Sequence, residues 1–371
     1  MSQSQITSRE RVHNAMGRKP NDRVPYNFRA EPEVYDKIRR SRGLSTDEAV
    51  RVWARSDIRD AGGIFSEGGY GGYSGFGSKD RDIGNGVQED FWGVRRQRVS
   101  YEGGSYIDIC HWPLKAMSMD DIRKYRWPRP QDIFDFTTLP QRIASLNQGN
   151  EYFWMIETES LFDRCWALRG MEQFMTDMLV EPELADYMLS QMADFFCQYT
   201  QMILRASKGA LDAIGLYNDL GTQISMMISP ELYRTFIKPR QKRLIELAHG
   251  QGCKVFYHSC GGILPVVEDL IEIGVDILDP LQMRAMNVSP EDLYRRFGGR
   301  VTFHGGLNTQ HFMPTAKPSE IAQETRHLIQ ALGPDGGFIV AGTHLYQVDI
   351  PVENIEAVHQ AIAGQTDSGA Q

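Results

Sequence analysis

The chain has 371 residues, of which 41% are hydrophobic and 24% charged, and its formal net charge is −8. This composition is typical of a globular protein with a large core, and it excludes a wholly disordered chain. Five cysteines, an odd number in a chain of this length, exclude a disulfide framework. An isoelectric point near 5.7 and the lack of a basic run argue against a nucleic-acid surface.

No apolar run approaches the roughly 20 residues that span a bilayer, and the N-terminus lacks the apolar segment of a secretory signal. The sequence therefore predicts a cytoplasmic protein that acts on a small molecule and has no membrane or nucleic-acid partner. We expect one domain over residues 7–362, with flexible tails at 1–6 and 364–371.

Apolar, β-rich runs alternate with amphipathic helical stretches along the chain. They predict strands at Val24–Phe28, Tyr152–Glu157, Ala213–Tyr217, Lys254–His258, Asp276–Asp279, Val301–His304 and Gly337–Ala341. Helix-start signals predict helices at Ser229–Gly250, Ser289–Phe297 and Lys317–Leu332. Buried strands joined by helices indicate a parallel sheet, and about seven such units favour an α/β fold of the (β/α)8 TIM-barrel type over a doubly wound sheet. No GxGxxG fingerprint follows an early strand, which disfavours a dinucleotide-binding fold.

Residues 62–113 interrupt this alternation with a glycine-rich stretch, GGIFSEGGYGGYSGFG, followed by a segment of alternating polarity. The second segment turns at Gly103–Gly104, which predicts a β-hairpin. We interpret the glycine-rich part either as a mobile loop beside the active site or as a poorly ordered surface excursion.

The strongest chemical signal is the strand that runs into His258, Cys260 and a pair of glycines. His258 and Cys260 are two residues apart, so on an extended backbone both face the same side, which at a barrel strand end is the mouth. Imidazole and thiolate are ligands that Zn²⁺ prefers. The best candidate for a third ligand is His344, which follows the last predicted strand. The alternative is a packed strand end without a metal.

Two acidic residues at predicted strand ends are candidate catalytic groups. Asp219 closely follows the strand that ends at Tyr217, and Glu157 ends its own strand. A polar residue at such a place is a site candidate, but an Asp there can also cap the next helix. The same two interpretations apply with equal weight to Asp279.

The candidates to bind a substrate lie at or near predicted strand ends. Arg29 can clamp a carboxylate or phosphate, or form an ion pair with Glu31 or Glu33. The other candidates are Tyr26, Gln282, His304, Gln310 and Tyr346.

From about Thr7 to Ile362 the sequence resembles the uroporphyrinogen decarboxylase superfamily. The segment TSRERVHNAMGRKPNDRVP is similar to the family's first helix and strand, and HSCGGILPVVEDLIEIGVDILDPLQ is the most specific match. The family fold is a (β/α)8 barrel. Its members are tetrapyrrole decarboxylases without a cofactor and zinc-dependent methyltransferases that exchange methyl groups with a corrinoid protein.

The resemblance is closer to the methyltransferase branch. His258 and Cys260 fall on two of its zinc-ligand positions, and His344 falls on the third, where the branch has a cysteine. The decarboxylase branch has an arginine pair for substrate carboxylates, whereas here Glu31 and Glu33 would repel a polycarboxylate. The resemblance therefore implies Zn²⁺, a corrinoid (cobalamin) acceptor on a separate protein and, because dimers are common in the family, a homodimer.

The change of the third ligand from cysteine to His344 has a chemical consequence. With one thiolate instead of two the zinc site keeps a net positive charge, which makes the metal a stronger Lewis acid. We therefore expect a small, oxygen-bearing (methoxy) methyl donor, with Asp219 or Glu157 completing the coordination or serving as the acid. Two alternatives stay open: a metal-free decarboxylase that uses Arg29 and Asp219, and a non-catalytic barrel that binds a small molecule.

Overall fold

The computed structural model describes residues 6–62, 80–101, 104–147 and 151–364. Eight parallel strands form the central sheet in the order β1-β12-β11-β10-β9-β8-β7-β2. The strands are β1 Tyr26–Asn27, β2 Ile58–Asp60, β7 Phe153–Glu159, β8 Ala213–Tyr217, β9 Lys254–His258, β10 Ile277–Asp279, β11 Thr302–Leu307 and β12 Phe338–Gly342. The sheet nearly closes on itself and helices cover its outside, so the predicted TIM barrel is confirmed.

The helices connect the strands and pack on the outer face of the sheet. Their bounds are α1 Ser8–Met16, α2 Pro32–Arg42, α3 Asp47–Trp53, α4 Met119–Lys124, α5 Leu139–Leu146, α6 Leu161–Arg169, α7 Met171–Val180, α8 Pro182–Ser207, α9 Pro230–Leu232, α10 Lys238–His249, α11 Val267–Glu272, α12 Met283–Met286, α13 Pro290–Phe297, α14 Pro318–Leu332 and α15 Val352–Ala363. A π-helical turn, Tyr233–Ile237, joins α9 to α10. None of the helices in the described ranges is long and apolar enough to cross a membrane.

The inside of the barrel is an apolar plug made by alternate residues of the strands. Its members, with one residue from α1, are Val12, Ile58, Phe153, Met155, Ala213, Phe256, Ile277 and Ile339. The helix α1 covers the end where the strands begin, because Gly337 N–H donates to Ala15 O (2.7 Å) just before β12. With this end closed, the opposite end is the one open to chemistry.

The barrel is completed between β1 and β2 by Asp57, a fully buried carboxylate next to β2. Its backbone N–H donates to Tyr26 O (2.7 Å), and its side chain accepts from Tyr26 N–H (2.9 Å). The guanidinium groups of Arg11 and Arg23 both contact the same carboxylate at 2.7 Å. One charged side chain thus joins the first and last strands of the sheet and, together with Asp22 on Arg11, balances the charge of two arginines.

A second, antiparallel sheet packs beside the barrel and contains the predicted hairpin. Its strands are β3 Arg81–Asp82, β4 Val87–Glu89, β5 Arg95–Tyr101 and β6 Gly104–His111. Asp90 anchors it, because its carboxylate pairs with Arg96 (2.9 Å) and with Arg164 of α6 (3.4 Å). The predicted glycine-rich loop falls mostly on residues 63–79, which lie outside the described residues, as do 102–103 in the hairpin turn.

We expect Asp57→Ala to lower the free energy of unfolding by about 3–5 kcal/mol, because it leaves the half-buried guanidinium group of Arg23 without a counter-charge and removes one of the two carboxylates that pair with Arg11. The measurement is the urea midpoint of the variant against the unchanged protein. Glu246→Ala is the control, since the Lys242–Glu246 pair is exposed and 3.9 Å apart and should contribute at most about 1 kcal/mol. Equal losses in the two variants would contradict the proposed role of Asp57.

Candidate functional site

A layer of polar side chains lies on the apolar plug, at the carboxyl ends of the strands. It follows from the alternation along each strand: Met155 faces the barrel axis, so Glu157 does too, and His258 follows Phe256 in the same way. By the same two-residue spacing, the layer also contains Asp60, Tyr217, Asp279 and His304. Several residues predicted from separate segments therefore meet at the open end of the barrel, where barrel enzymes have their active sites.

Asp279, at the end of β10, holds this layer together. Its fully buried carboxylate accepts two hydrogen bonds from Arg29 (2.7 and 3.1 Å). One oxygen also contacts Nδ1 of His258 and the other Nδ1 of His304, both at 2.5 Å. Burial by itself would raise the pKa of Asp279, but Arg29 and the two imidazoles hold it well below its usual range. Asp279 is therefore an ionised centre and not a helix cap.

His258 presents its free ring nitrogen to two further donor groups. With Nδ1 held by Asp279, Nε2 lies 3.5 Å from Cys260 Sγ and 3.8 Å from Asp219 Oδ1. The same Asp219 oxygen accepts the backbone N–H of Cys260 at 2.9 Å. Ligand atoms of these three residues all lie within 4.8 Å of one another. They form the candidate metal centre.

The donor set fits a zinc ion. Zinc takes imidazole nitrogen, thiolate sulfur and carboxylate oxygen in a tetrahedral arrangement, in which bonds of about 2.0–2.1 and 2.3 Å put a nitrogen and a sulfur about 3.5–3.6 Å apart. The observed separation of His258 Nε2 and Cys260 Sγ is 3.5 Å. A carboxylate on the second ring nitrogen of a metal-bound histidine fixes the tautomer that offers its other nitrogen, and Asp279 has this place.

The third member of the centre differs from the predicted set. Asp219, which the sequence indicated as a catalytic residue, converges with His258 and Cys260, whereas His344 belongs to no such group of three within the described ranges. His344 is exposed in the loop after β12. Desolvation lowers the pKa of its imidazole, and the positive charges of His258 and Arg29 lower it further, so His344 lies in the same electrostatic environment. Its role as a ligand stays a prediction.

Glu157 is a partly buried carboxyl group in the same layer. Burial first, and then the charge of Asp60, raise its pKa to about 8. No hydrogen bond to its side chain is formed by any residue of the described ranges. Glu157 is therefore protonated near neutral pH and has its proton available, which suits the predicted role as an acid.

Two acidic residues of the site were missed by the sequence analysis, Asp60 and Asp163. Asp60 ends the short strand β2, and Asp163 lies in the first turn of α6. Asp163 accepts the backbone N–H of Asp219 (3.1 Å), and burial and the charge of Asp219 raise its pKa to about 6. Nothing in the local sequence marks either residue, since an acidic group in a first helical turn is common.

Three of the predicted substrate-binding residues are fully buried, namely Tyr26, His304 and Tyr346. The hydroxyls of Tyr26 and Tyr346 are 3.2 Å apart. The Asn27 amide donates to Nε2 of His304 (3.0 Å), which leaves the Nδ1 proton of His304 to donate to Asp279. In this structure these side chains have no exposed surface, so they support the site and do not face a substrate.

The remaining predicted substrate residues have different positions. Arg29 pairs with Asp279 and not with Glu31 or Glu33. Gln282 connects the loops of the mouth: its Oε1 accepts from Gly261 N–H (3.0 Å), and its Nε2 donates to Thr343 O (3.1 Å). Gln310 is exposed after β11 and forms no hydrogen bond with a described residue.

Single substitutions distinguish the two ligand sets. We expect Cys260→Ala to lower zinc affinity most, Asp219→Ala to lower it at least about tenfold, and His344→Ala to lower it least, because only the first two remove atoms of the converged group. Competition with a chromophoric chelator measures each affinity. The exposed Asp292→Ala serves as control. If His344→Ala released zinc and Asp219→Ala did not, His344 would replace Asp219 in the set.

Comparisons with known proteins agree with this fold. The model of the uroporphyrinogen decarboxylase (URO-D) family matches residues 159–364. A methyltransferase from Methanosarcina mazei superposes with a TM-score of 0.65 at 15% identity, over 97% of this chain and 99% of that one. A protein named as a vitamin-B12 independent methionine synthase from Listeria monocytogenes gives a TM-score of 0.41 at 13% identity, over 92% and 96% of the two chains. No curated protein matches the sequence.

The matched region runs from the last residue of β7 to the end of α15, and it contains the three residues of the candidate metal centre. It makes up more than half of the chain. At 15% identity the methyltransferase from Methanosarcina mazei shows the fold alone, whereas the family match establishes the relationship. The chain belongs to the uroporphyrinogen decarboxylase family, a family of enzymes.

Proposed function

We propose that this protein is a zinc-dependent methyltransferase that moves a methyl group from a small methoxy compound to a corrinoid protein. The observation that carries the proposal is the convergence of His258, Cys260 and Asp219 at the barrel mouth. Membership in the uroporphyrinogen decarboxylase family is consistent with it. The predicted resemblance to the methyltransferase branch rests on two of the same residues.

The residues of the site divide into three roles in this proposal. His258, Cys260 and Asp219 would hold the metal. Asp279 occupies Nδ1 of His258 and, against the effect of burial, raises the pKa of the imidazole well above its usual value, so a metal would bind at Nε2 in place of the proton there. A zinc ion bound there would supply a Lewis acid for the oxygen that loses the methyl group. Glu157 holds the proton that this oxygen needs.

The reaction breaks the methyl–oxygen bond and forms a methyl–cobalt bond. The reduced Co(I) of the corrinoid partner supplies the electron pair of the new bond, and the pair of the broken bond stays on the oxygen. Glu157 transfers its proton to that oxygen, so that the product leaves as an alcohol or a phenol. The Glu157 carboxylate regains a proton from solvent before the next turnover.

A protonated acid favours an oxygen donor over a sulfur donor. A thiol has a pKa near about 8.5, so a thiolate leaves at neutral pH without help, whereas a phenol near about 10 gains from protonation. A site for thioethers has little use for a carboxyl group whose pKa is raised to about 8. With Asp219 as third ligand, the thiolate and the carboxylate together would leave the zinc site formally neutral, so the metal charge would not itself favour an oxygen donor.

The family match is compatible with a metal-free decarboxylase, but the geometry of the site does not favour one. Such an enzyme needs a free cation for a substrate carboxylate, but both terminal nitrogens of Arg29 are bonded to Asp279. The other ionisable groups near Glu157 include Asp60 and Asp163, which would repel a carboxylate. A barrel that only binds a small molecule would have no need of a proton-holding Glu157.

The test is a methyl-transfer assay with purified protein and reduced cobalamin. We expect a methoxy donor to methylate the cobalt, a strong chelator to abolish the reaction, and added Zn²⁺ to restore it. The conversion is followed by the change in the cobalamin absorption spectrum. Activity on thioethers with none on any ether would contradict the oxygen-bearing donor, and full activity after complete zinc removal would contradict the metal's role.

The raised pKa of Glu157 predicts the pH dependence. The protonated acid is present below about pH 8 and lost above it, so we expect kcat to fall as pH rises through this value. Glu157→Gln keeps the shape but holds no transferable proton. It should lower kcat by about 10²- to 10⁴-fold and remove the alkaline limb of the profile.

Glu159→Gln is the matched control, because Glu159 is in the same strand and its pKa is also raised to about 8, by burial. Its carboxyl group accepts hydrogen bonds from Asn218 Nδ2 (2.7 Å) and from the backbone N–H of Leu161, so it has a structural role. We expect this variant to keep the alkaline limb. Loss of the limb in Glu159→Gln and its persistence in Glu157→Gln would overturn the assignment of the acid.

A further inference from the structure

Tyr217, the last residue of β8, lies in the polar layer but has no role so far. Its ring bends back over Gly215, the preceding residue on the same face of the strand. A Cβ atom built on Gly215 would lie 2.6 Å from Tyr217 Cε2 and 3.3 Å from Cδ2. Only a glycine at position 215 therefore allows the tyrosine ring to occupy this place.

In this place the ring stacks on the candidate ligand His258. The two ring centroids are 4.8 Å apart and the planes differ by 17°. The ring of Phe256, which lies two residues before His258 on β9, has its centroid 6.4 Å from that of Tyr217, and the two planes differ by 23°. Asp279 holds His258 through a ring nitrogen and Tyr217 covers a face of the same ring, so the imidazole plane is fixed by two contacts of different kinds.

The hydroxyl of Tyr217 is the unexplained part of the side chain. The residue is only partly buried, and its hydroxyl forms no hydrogen bond with any residue in the described ranges. The Arg29–Asp279 pair, Asp60 and Glu157 are the ionisable groups that act on it. A phenol hydroxyl keeps its proton at neutral pH and is a hydrogen-bond donor.

A phenylalanine would give the same stacking, so the hydroxyl needs a separate explanation. It lies among the charges that surround Glu157, the acid of the proposed reaction, and on the ring that covers His258. A donor in such a place binds an acceptor atom of the substrate, and ether oxygen is a much better acceptor than thioether sulfur. Its hydrogen bond grows stronger as negative charge develops on the oxygen.

We propose that the Tyr217 hydroxyl donates a hydrogen bond to the reacting oxygen of the methyl donor and selects oxygen-bearing over sulfur-bearing donors. The proposal rests on the proposed function and deepens it, because it names a residue that determines the class of donor. Tyr217 transfers no proton: it stays a phenol while Glu157 supplies the proton. Gly215 is the positioning residue that allows the contact.

The test compares matched O-methyl and S-methyl compounds in the zinc-loaded protein and in its Tyr217→Phe variant. The pairs are 2-methoxyphenol with 2-(methylthio)phenol, and methanol with methanethiol. In the methyl-transfer assay we expect the variant to lose about 10- to 100-fold in kcat/KM for the oxygen donors and less than about threefold for the sulfur donors. Its zinc content should be unchanged. Gly215→Ala displaces the ring, so it should slow both classes.

A binding measurement separates this proposal from the proposed function. Calorimetric titration of each pair needs no corrinoid, and we expect the unchanged protein to prefer the oxygen compound of at least one pair and Tyr217→Phe to lose that preference. A preference that persists in Tyr217→Phe, or no preference in the unchanged protein, overturns the role of Tyr217. If Tyr217→Phe removes the binding preference but the unchanged protein transfers no methyl group, the proposed function is overturned and the hydrogen bond from Tyr217 still stands.

Discussion

The site depends on the buried carboxylate of Asp279. It accepts from Arg29, His258 and His304, which come from the segment after β1, from β9 and from β11. Such a cluster is stable only when complete, since removal of one charged partner leaves the others buried and unpaired. Through His258 it fixes the direction of the metal-binding nitrogen, and through Arg29 it occupies a cation that would otherwise attract substrate carboxylates. One interaction thereby fixes the candidate metal centre and disfavours the decarboxylase alternative.

The charged groups at one end of the barrel stabilise the fold, whereas those at the other end form the candidate site. At the closed end Asp57 joins β1 to β2 and pairs with Arg11 and Arg23 at 2.7 Å each, and Asp22 supplies the second negative charge to Arg11. At the open end Asp279 is paired in the same way but Glu157 is not, and burial leaves Glu157 with its proton near neutral pH. Burying a charged group costs little free energy when opposite charges and hydrogen bonds fully compensate it. A buried ionisable group without them has a shifted pKa and can take part in proton transfer. The apolar plug between the ends keeps these two kinds of charged group apart.

The sequence predicted the strands best where they are apolar and fully buried, as at Ala213–Tyr217 and Lys254–His258, which the structure reproduces residue for residue. It missed β2, Ile58–Asp60, because two of its three residues are charged. The spacing of His258 and Cys260 located the centre, since alternation along a strand is a local property. The position of Asp219 depends on the loop after β8 and on its contact with Cys260 N–H, neither of which is local. For the same reason the sequence could not decide between Asp219 and His344.

The identity of the third ligand, His344 as predicted from the sequence or Asp219 as proposed from the structure, decides where a preference for oxygen would come from. With His344 as ligand, the metal would carry the extra positive charge and would itself favour an oxygen atom. With Asp219 as ligand, thiolate and carboxylate cancel the charge of the zinc ion, so selection must come from hydrogen-bond donors around it. The open end of the barrel holds two such groups, the protonated Glu157 and the Tyr217 hydroxyl. Because sulfur accepts hydrogen bonds weakly, two donors aimed at one atom discriminate between oxygen and sulfur without any change at the metal.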